Sequence, residues 1–172
     1  MNIFDEIGFY GPIILAILSV YLLWNQNNLC FFYVLGLIFD CILNLILKGI
    51  IQQPRPNVDS KEVQLALKNN KRFMYKDGIP YDLFGMPSGH TSSAIFSTIF
   101  VYLALRKTNW LYLYLIISIF TIVQRVTSNS HTISQVIVGG FVGAGLAYGL
   151  FLFAEKKIQG RIREKSDDFA PF

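Results

Sequence analysis

The chain has 172 residues, 53% of them hydrophobic and only 15% charged, with a formal net charge of +4 and a mean hydropathy of +0.44. Soluble domains carry about 25% charged residues, so this composition excludes an ordinary water-soluble domain and a disordered polar chain and makes lipid the solvent. Two cysteines, Cys30 and Cys41, fall in one apolar segment and speak for neither a disulfide framework nor a metal site.

Met1 to Gly8 is acidic and lacks the basic start and small-residue cleavage site of a signal peptide, so the first apolar segment is expected to stay. A membrane-spanning helix needs about 20 mostly apolar residues, because its backbone polar groups must be paired internally. The first such segment runs from about Phe9 to Trp24 and the second from Leu29 to Ile51. In the second, Asp40, Asn44 and Lys48 recur every four residues, making a polar stripe that should face other helices. The long connection Gln52 to Met86 carries one helix signal. Asp59-Ser60 with Glu62 reads as a helix start, and the stretch to about Arg72 sets Val63, Ala66 and Leu67 on one side among lysines, as an interfacial helix would.

The third apolar segment runs from Ser88 to Leu105, opened by Pro87, the fourth from Trp110 to Val126 and the fifth from Ile133 to Ala154. Gly139, Gly140, Gly143 and Gly145 in the last suit close helix packing. Short connections tie the five together. The expectation is an all-α polytopic bundle of about five transmembrane helices with one interfacial helix, a single domain over 1–172, and a basic cytoplasmic tail over 155–172.

Five crossings place the ends of spans two and four and the starts of spans three and five on one side. Lys48, Arg55, His90, Arg125 and His131 all fall there. A phosphate ester concentrates negative charge on its oxygens, and a site without a metal needs several fixed cations and N–H donors aimed at them. Lys48, Arg55 and Arg125 supply cations, and Arg adds a planar fork that grips two oxygens. Ser88 offers a hydroxyl and Gly89 an approachable backbone N–H where a helix N-terminus favours anions. His90 and His131 can each be neutral or charged near neutral pH, so one can attack phosphorus while the other protonates the leaving oxygen.

These residues fall into three clusters: Lys48 to Pro56, Pro87-Ser88-Gly89-His90, and Gln124-Arg125 with His131 and Gln135. Together they resemble the signature of the type 2 phosphatidic acid phosphatase superfamily, KxxxxxxRP, PSGH and SRxxxxxHxxxD, over roughly Leu29 to Phe153. The resemblance implies a phosphohistidine route without metal or cofactor, with His131 as nucleophile and His90 as general acid. Lys48, Arg55, Ser88, Gly89 and Arg125 would bind phosphate. The expected partner is a membrane lipid phosphate or diphosphate, with no nucleic acid.

Two positions depart from the family pattern. Gln124 stands for its serine and Gln135 for its aspartate. Gln135, four residues after His131, stacks one turn away and can still accept the Nδ1 proton, although it brings no charge. His131-Thr132-Ile133-Ser134-Gln135-Val136, the run Ile50 to Pro56 and the approach Gly85-Met86-Pro87-Ser88 are similar to the dolichyl-diphosphatase branch, which implies hydrolysis of a polyprenyl diphosphate to the monophosphate. The alternatives are a phosphatase of phosphatidate, lysophosphatidate or undecaprenyl diphosphate, and a catalytically weak lipid-phosphate-binding protein. A channel or transporter finds no inverted repeat to support it. Arg106, Lys107 and the basic residues from Lys156 to Lys165 lie opposite the site. The positive-inside rule therefore sets the site on the non-cytoplasmic face, in the endoplasmic reticulum or plasma membrane.

Overall fold

Long apolar runs with few backbone breakers can satisfy their N–H and C=O groups only along their own helices once water is removed. The computed structural model, which describes residues 3–69, 71–76 and 79–159, shows the result. In chain order the elements are α1 (Ile3–Leu23), α2 (Asn27–Ile51), α3 (Ser60–Lys68), β1 (Phe73–Lys76), β2 (Ile79–Asp82), α4 (Gly89–Leu105), α5 (Thr108–Thr127) and α6 (Ile133–Gln159).

Four helices, α1, α2, α5 and α6, are long and apolar enough to cross a membrane. The fifth expected span, α4, has 17 residues and so reaches only about 25 Å against a hydrocarbon core of about 30 Å. Its position explains how it does so. It packs against α1, α2, α5 and α6, and Ala94, Phe96 and Phe100 along it are wholly buried. A helix wrapped by its neighbours need not match the bilayer itself. The outer helices instead turn large apolar side chains outward, among them Ile17, Phe31, Ile116 and Phe141.

The core is aromatic with polar cross-links. Tyr33 stacks on Phe96 at 5.7 Å and meets Phe100 edge-on at 5.6 Å, while its hydroxyl bonds Ser97 at 2.8 Å. Ser19 and Tyr114 join α1 to α5 at 2.9 Å, and Thr98 and Ser118 join α4 to α5 at 2.8 Å. In lipid, where helices gain little from apolar burial, such contacts and small residues set the packing. Gly139 and Gly143 do this for α6 on α4. A Cβ on Gly139 would come within 2.5 Å of the Ser88 carbonyl, and one on Gly143 would overlap the carbonyl of Ser92.

Several expectations change. The first helix starts at Ile3, taking in the acidic residues Asp5 and Glu6 as its first turn, where carboxylates favour the helix dipole. The interfacial helix ends at Lys68 instead of near Arg72, and only Val63 and Ala66 are buried, with Leu67 exposed. Cys41 is also exposed on the helix surface. The connection holds a hairpin that the sequence reading did not contain, β1 antiparallel to β2 with Phe73 opposite Asp82. Of the basic tail, residues 160–172 lie outside the described residues.

Candidate active site

The segment after α2 does not wander over the surface; it pairs with the segment before α4. The Arg55 N–H donates to the Leu83 carbonyl at 3.0 Å and the Gly85 N–H to the Gln53 carbonyl at 2.8 Å, around a bridge between Pro54 and Phe84. Arg72 closes the base of the hairpin on Asp82 with a salt bridge of 2.7 Å, and Asp82 passes the order on. Its carboxylate accepts the Phe84 N–H at 3.0 Å and its carbonyl accepts Arg55 Nε–H at 2.8 Å. Burial disfavours the charge on Arg55, with Asp82 opposing that effect. Arginine starts so high that the guanidinium remains a cation.

The free end of that fork meets His131, in the turn between α5 and α6. Arg55 Nη1 lies 3.0 Å from His131 Nε2 and 3.3 Å from the Ser130 carbonyl. On the other side of the ring, Nδ1 lies 2.9 Å from the Gly85 carbonyl and 3.2 Å from Gln135 Oε1. Both of those are acceptors, so Nδ1 carries the proton, and Nε2 keeps a lone pair that accepts from Arg55. Burial, then the charges of Arg55 and Lys48, push the His131 pKa down to about 3, against a smaller opposing effect of Gln135. His131 is therefore neutral near pH 7, with the proton on Nδ1 and the lone pair on Nε2: the tautomer a nucleophile needs.

Lys48, on α2, is buried and donates to the Phe84 carbonyl at 3.2 Å. One turn back, Asn44 Nδ2 donates to the Asp40 carbonyl at 2.9 Å and to Asp40 Oδ1 at 3.2 Å. Asp40 in turn accepts from Ser92 at 2.5 Å and Ser93 at 2.7 Å on α4. The polar stripe thus faces the bundle, as expected, and locks α2 to α4 beneath the site. Asn44 Oδ1 is the one buried side-chain oxygen without a partner among the described residues. Ser88, wholly buried, donates its N–H to the Gln135 carbonyl at 3.0 Å, and its hydroxyl accepts from Thr91 at 3.1 Å. It caps α4, whose first turn leaves N–H groups without helical partners next to Gly89 and His90.

His90 lies within electrostatic reach of Arg125, Arg55 and Lys48. Below it opens a cavity of about 440 Å³ between α1, α2 and α4, with Pro12, Ile13, Cys41 and Leu45 on its walls and Lys48, Gly89 and His90 at its head. Arg125, at the end of α5, is buried and bonds the side-chain oxygen of Gln124 through Nε and Nη2. The residue in place of the family serine therefore holds the arginine directly. Gly8 on α1 faces Gln124, and a Cβ there would come within 2.5 Å of it.

All eight sequence-predicted site residues therefore gather at one end of the bundle. The sequence reading missed four others. Phe9 stacks 5.0 Å from Arg125 and 5.8 Å from the His90 ring. Gly85, Asp82 and Gln53 set the loop that carries Arg55. An aromatic among 15 phenylalanines gives no signal, and the other three act through long-range pairing. Among the described residues no group of three His, Cys, Asp or Glu side chains is arranged to hold a metal.

Residues 29–159 match the family model of the PAP2 superfamily. The fold is similar to the crystal structure of a transmembrane PAP2-type phosphatidylglycerolphosphate phosphatase from Bacillus subtilis. The TM-score is 0.62 at 19% identity, over 94% of this chain and 78% of that one. At that identity the likeness is one of fold. No curated protein sequence matches the chain.

Proposed function

The chain belongs to the PAP2 superfamily, and on that premise we propose that it is a metal-independent membrane phosphatase acting on a polyprenyl diphosphate of the dolichyl type and releasing the monophosphate. The observation that carries the reading is the setting of His131: Nδ1–H is held by two carbonyl oxygens, and the Nε2 lone pair is bonded at 3.0 Å by Arg55, a phosphate-binding cation that can turn to the substrate oxygens and release the lone pair for attack.

His131 Nε2 attacks the terminal phosphorus, the P–O bond to the leaving phosphate breaks, and His90, which enters the step as imidazolium, gives that oxygen its proton. The resulting phosphohistidine carries positive charge on its ring, which the Gly85 and Gln135 carbonyl dipoles favour in place of a carboxylate. Water then attacks the phosphorus, His90 takes its proton, the P–N bond breaks, and neutral His131 returns. Lys48, Arg55 and Arg125 balance the phosphate oxygens, with Ser88 and Gly89 supplying donors at the α4 N-terminus. The apolar walls of the groove below His90 suit a lipid tail. A phosphate leaving group suits a nucleophile without a carboxylate behind it, and this favours a diphosphate over phosphatidate or lysophosphatidate.

We place the site on the non-cytoplasmic side of the endoplasmic reticulum or plasma membrane, in one domain whose basic tail lies in the cytoplasm. Purified protein in detergent with chelator should release phosphate from dolichyl diphosphate faster than from phosphatidate, lysophosphatidate or undecaprenyl diphosphate. Release only with added Mg²⁺ would sink the metal-free route, and preference for a monoester would sink the substrate assignment. Gln135 keeps a second reading in play, a lipid-phosphate binder with little turnover; vanadate binding without hydrolysis of any of these lipids would favour it.

A further inference from the structure

Gln135 is wholly buried and uses both ends of its amide. Oε1 accepts from His131 Nδ1–H at 3.2 Å and from the Thr132 N–H at 3.2 Å. Nε2 donates to the Pro54 carbonyl at 2.9 Å and to Gln53 Oε1 at 3.2 Å. A backbone N–H on one end and a backbone carbonyl on the other leave only one orientation for the amide. Its main-chain carbonyl also takes the Ser88 N–H at 3.0 Å. Gly85 presses on the same side chain, where a Cβ would overlap the amide.

We propose that Gln135 is a positioning residue for two parts at once, orienting His131 through Oε1 and clipping the Gln53-Pro54-Arg55 segment to α6 through Nε2, so that the family's aspartate in its place would impair the site.

An aspartate is one methylene shorter and donates nothing. Its carboxylate would face the Pro54 carbonyl, Gln53 Oε1 and the Gly85 carbonyl, all acceptors, in a buried place where unpaired polar groups are expensive. Glutamine trades the charge behind His131 for an N–H₂ that holds the phosphate-gripping arginine in reach. Gln53, whose side chain has no role in the family signature as read above, becomes the other half of the clip.

The inference rests on the proposed hydrolysis for its kinetics but has a binding readout of its own. The experiment measures kcat and KM on polyprenyl diphosphate and the Kd for vanadate, for wild type, Gln135→Asp, Gln53→Leu, Arg55→Ala and the pair Gln53→Leu/Arg55→Ala. Gln135→Asp should lower kcat/KM by about 100-fold, the cost of a misplacement near 1 Å, and weaken vanadate binding. Gln53→Leu leaves His131 held at Nδ1 and loosens only the Arg55 segment, so it should raise KM and the vanadate Kd by a larger factor than it lowers kcat. In the Arg55→Ala background Gln53→Leu should add nothing to the vanadate Kd, because both changes act through one group. Gln135→Asp as active as wild type, or a Gln53→Leu effect undiminished without Arg55, overturns the clip. Absent turnover by wild type refutes the hydrolase reading alone, because the vanadate comparison still decides the clip.

Discussion

His131 and His90 stand in opposite kinds of surroundings. His131 is pinned at both ring nitrogens, by Arg55 on one side and by Gly85 and Gln135 on the other. His90 makes no side-chain hydrogen bond to any described residue; it rests against the Phe9 ring and opens onto the apolar groove. A nucleophile must present one lone pair along one line, and that calls for a fixed tautomer and a fixed ring. A general acid must follow a leaving oxygen whose place depends on the substrate. The difference in anchoring is the one that the two proposed roles would call for.

The most severe way to break this comparison is to remove each imidazole in turn. His131→Ala should lower kcat by 10⁴ or more, on the order seen when a nucleophile is deleted. His90→Ala should cost about 10² to 10⁴-fold with a lipid phosphate, the usual worth of acid–base catalysis. With an ester whose leaving group is already acidic, such as p-nitrophenyl phosphate, the His90→Ala loss should shrink to under about tenfold. An equal loss on both substrates, or a larger loss for His90→Ala than for His131→Ala on the activated ester, would reverse the assignment.

Less severe is the contribution of the pinned histidine to the pH dependence of stability. The His131 pKa is about 3 in the fold and about 6.5 in an unfolded chain. Between those values the unfolded chain binds the extra proton, so stability rises with pH across that window and is lost as pH falls from about 6.5 toward 3. The Tm in detergent should be lower at pH 5 than at pH 7, and His131→Asn should reduce that slope. A slope unchanged by His131→Asn would mean that other groups carry it.

The contrast also marks what could be read from the chain. The five helices were legible because each apolar run is long, and the polar stripe Asp40, Asn44 and Lys48 was legible because four-residue spacing fixes a helix face. Short range fails in the connection before α4. Strands of four residues, one holding Pro80, carry no alternation to detect, and the pairing of Gln53 and Arg55 with Gly85 and Leu83 spans about thirty residues. Gln135 was legible as an acceptor for His131 from the helical spacing. Its donor half was not, because Pro54 comes near only through that loop. Phe9 was hidden for another reason: nothing in the first apolar segment sets its ring apart, and the packing of α1 on α5 is what carries it to Arg125.

Phe9 gives the smallest predicted effect and the finest test of the comparison. Its ring touches both His90 and Arg125, and an arginine–aromatic contact is worth about 0.5 to 2 kcal/mol depending on desolvation. Phe9→Leu should therefore reduce kcat/KM by about two- to thirtyfold, while Phe9→Tyr, which keeps the ring, should stay near wild type. The way the loss divides tells which neighbour matters. Weakened support of Arg125 raises KM and the vanadate Kd with any leaving group. A loosened His90 instead lowers kcat, and does so for lipid phosphates more than for p-nitrophenyl phosphate. If His90 is adaptable by design, its imidazole already tolerates motion, so the KM effect should dominate; a kcat loss confined to poor leaving groups would show that His90 is held in place after all, by the Phe9 ring.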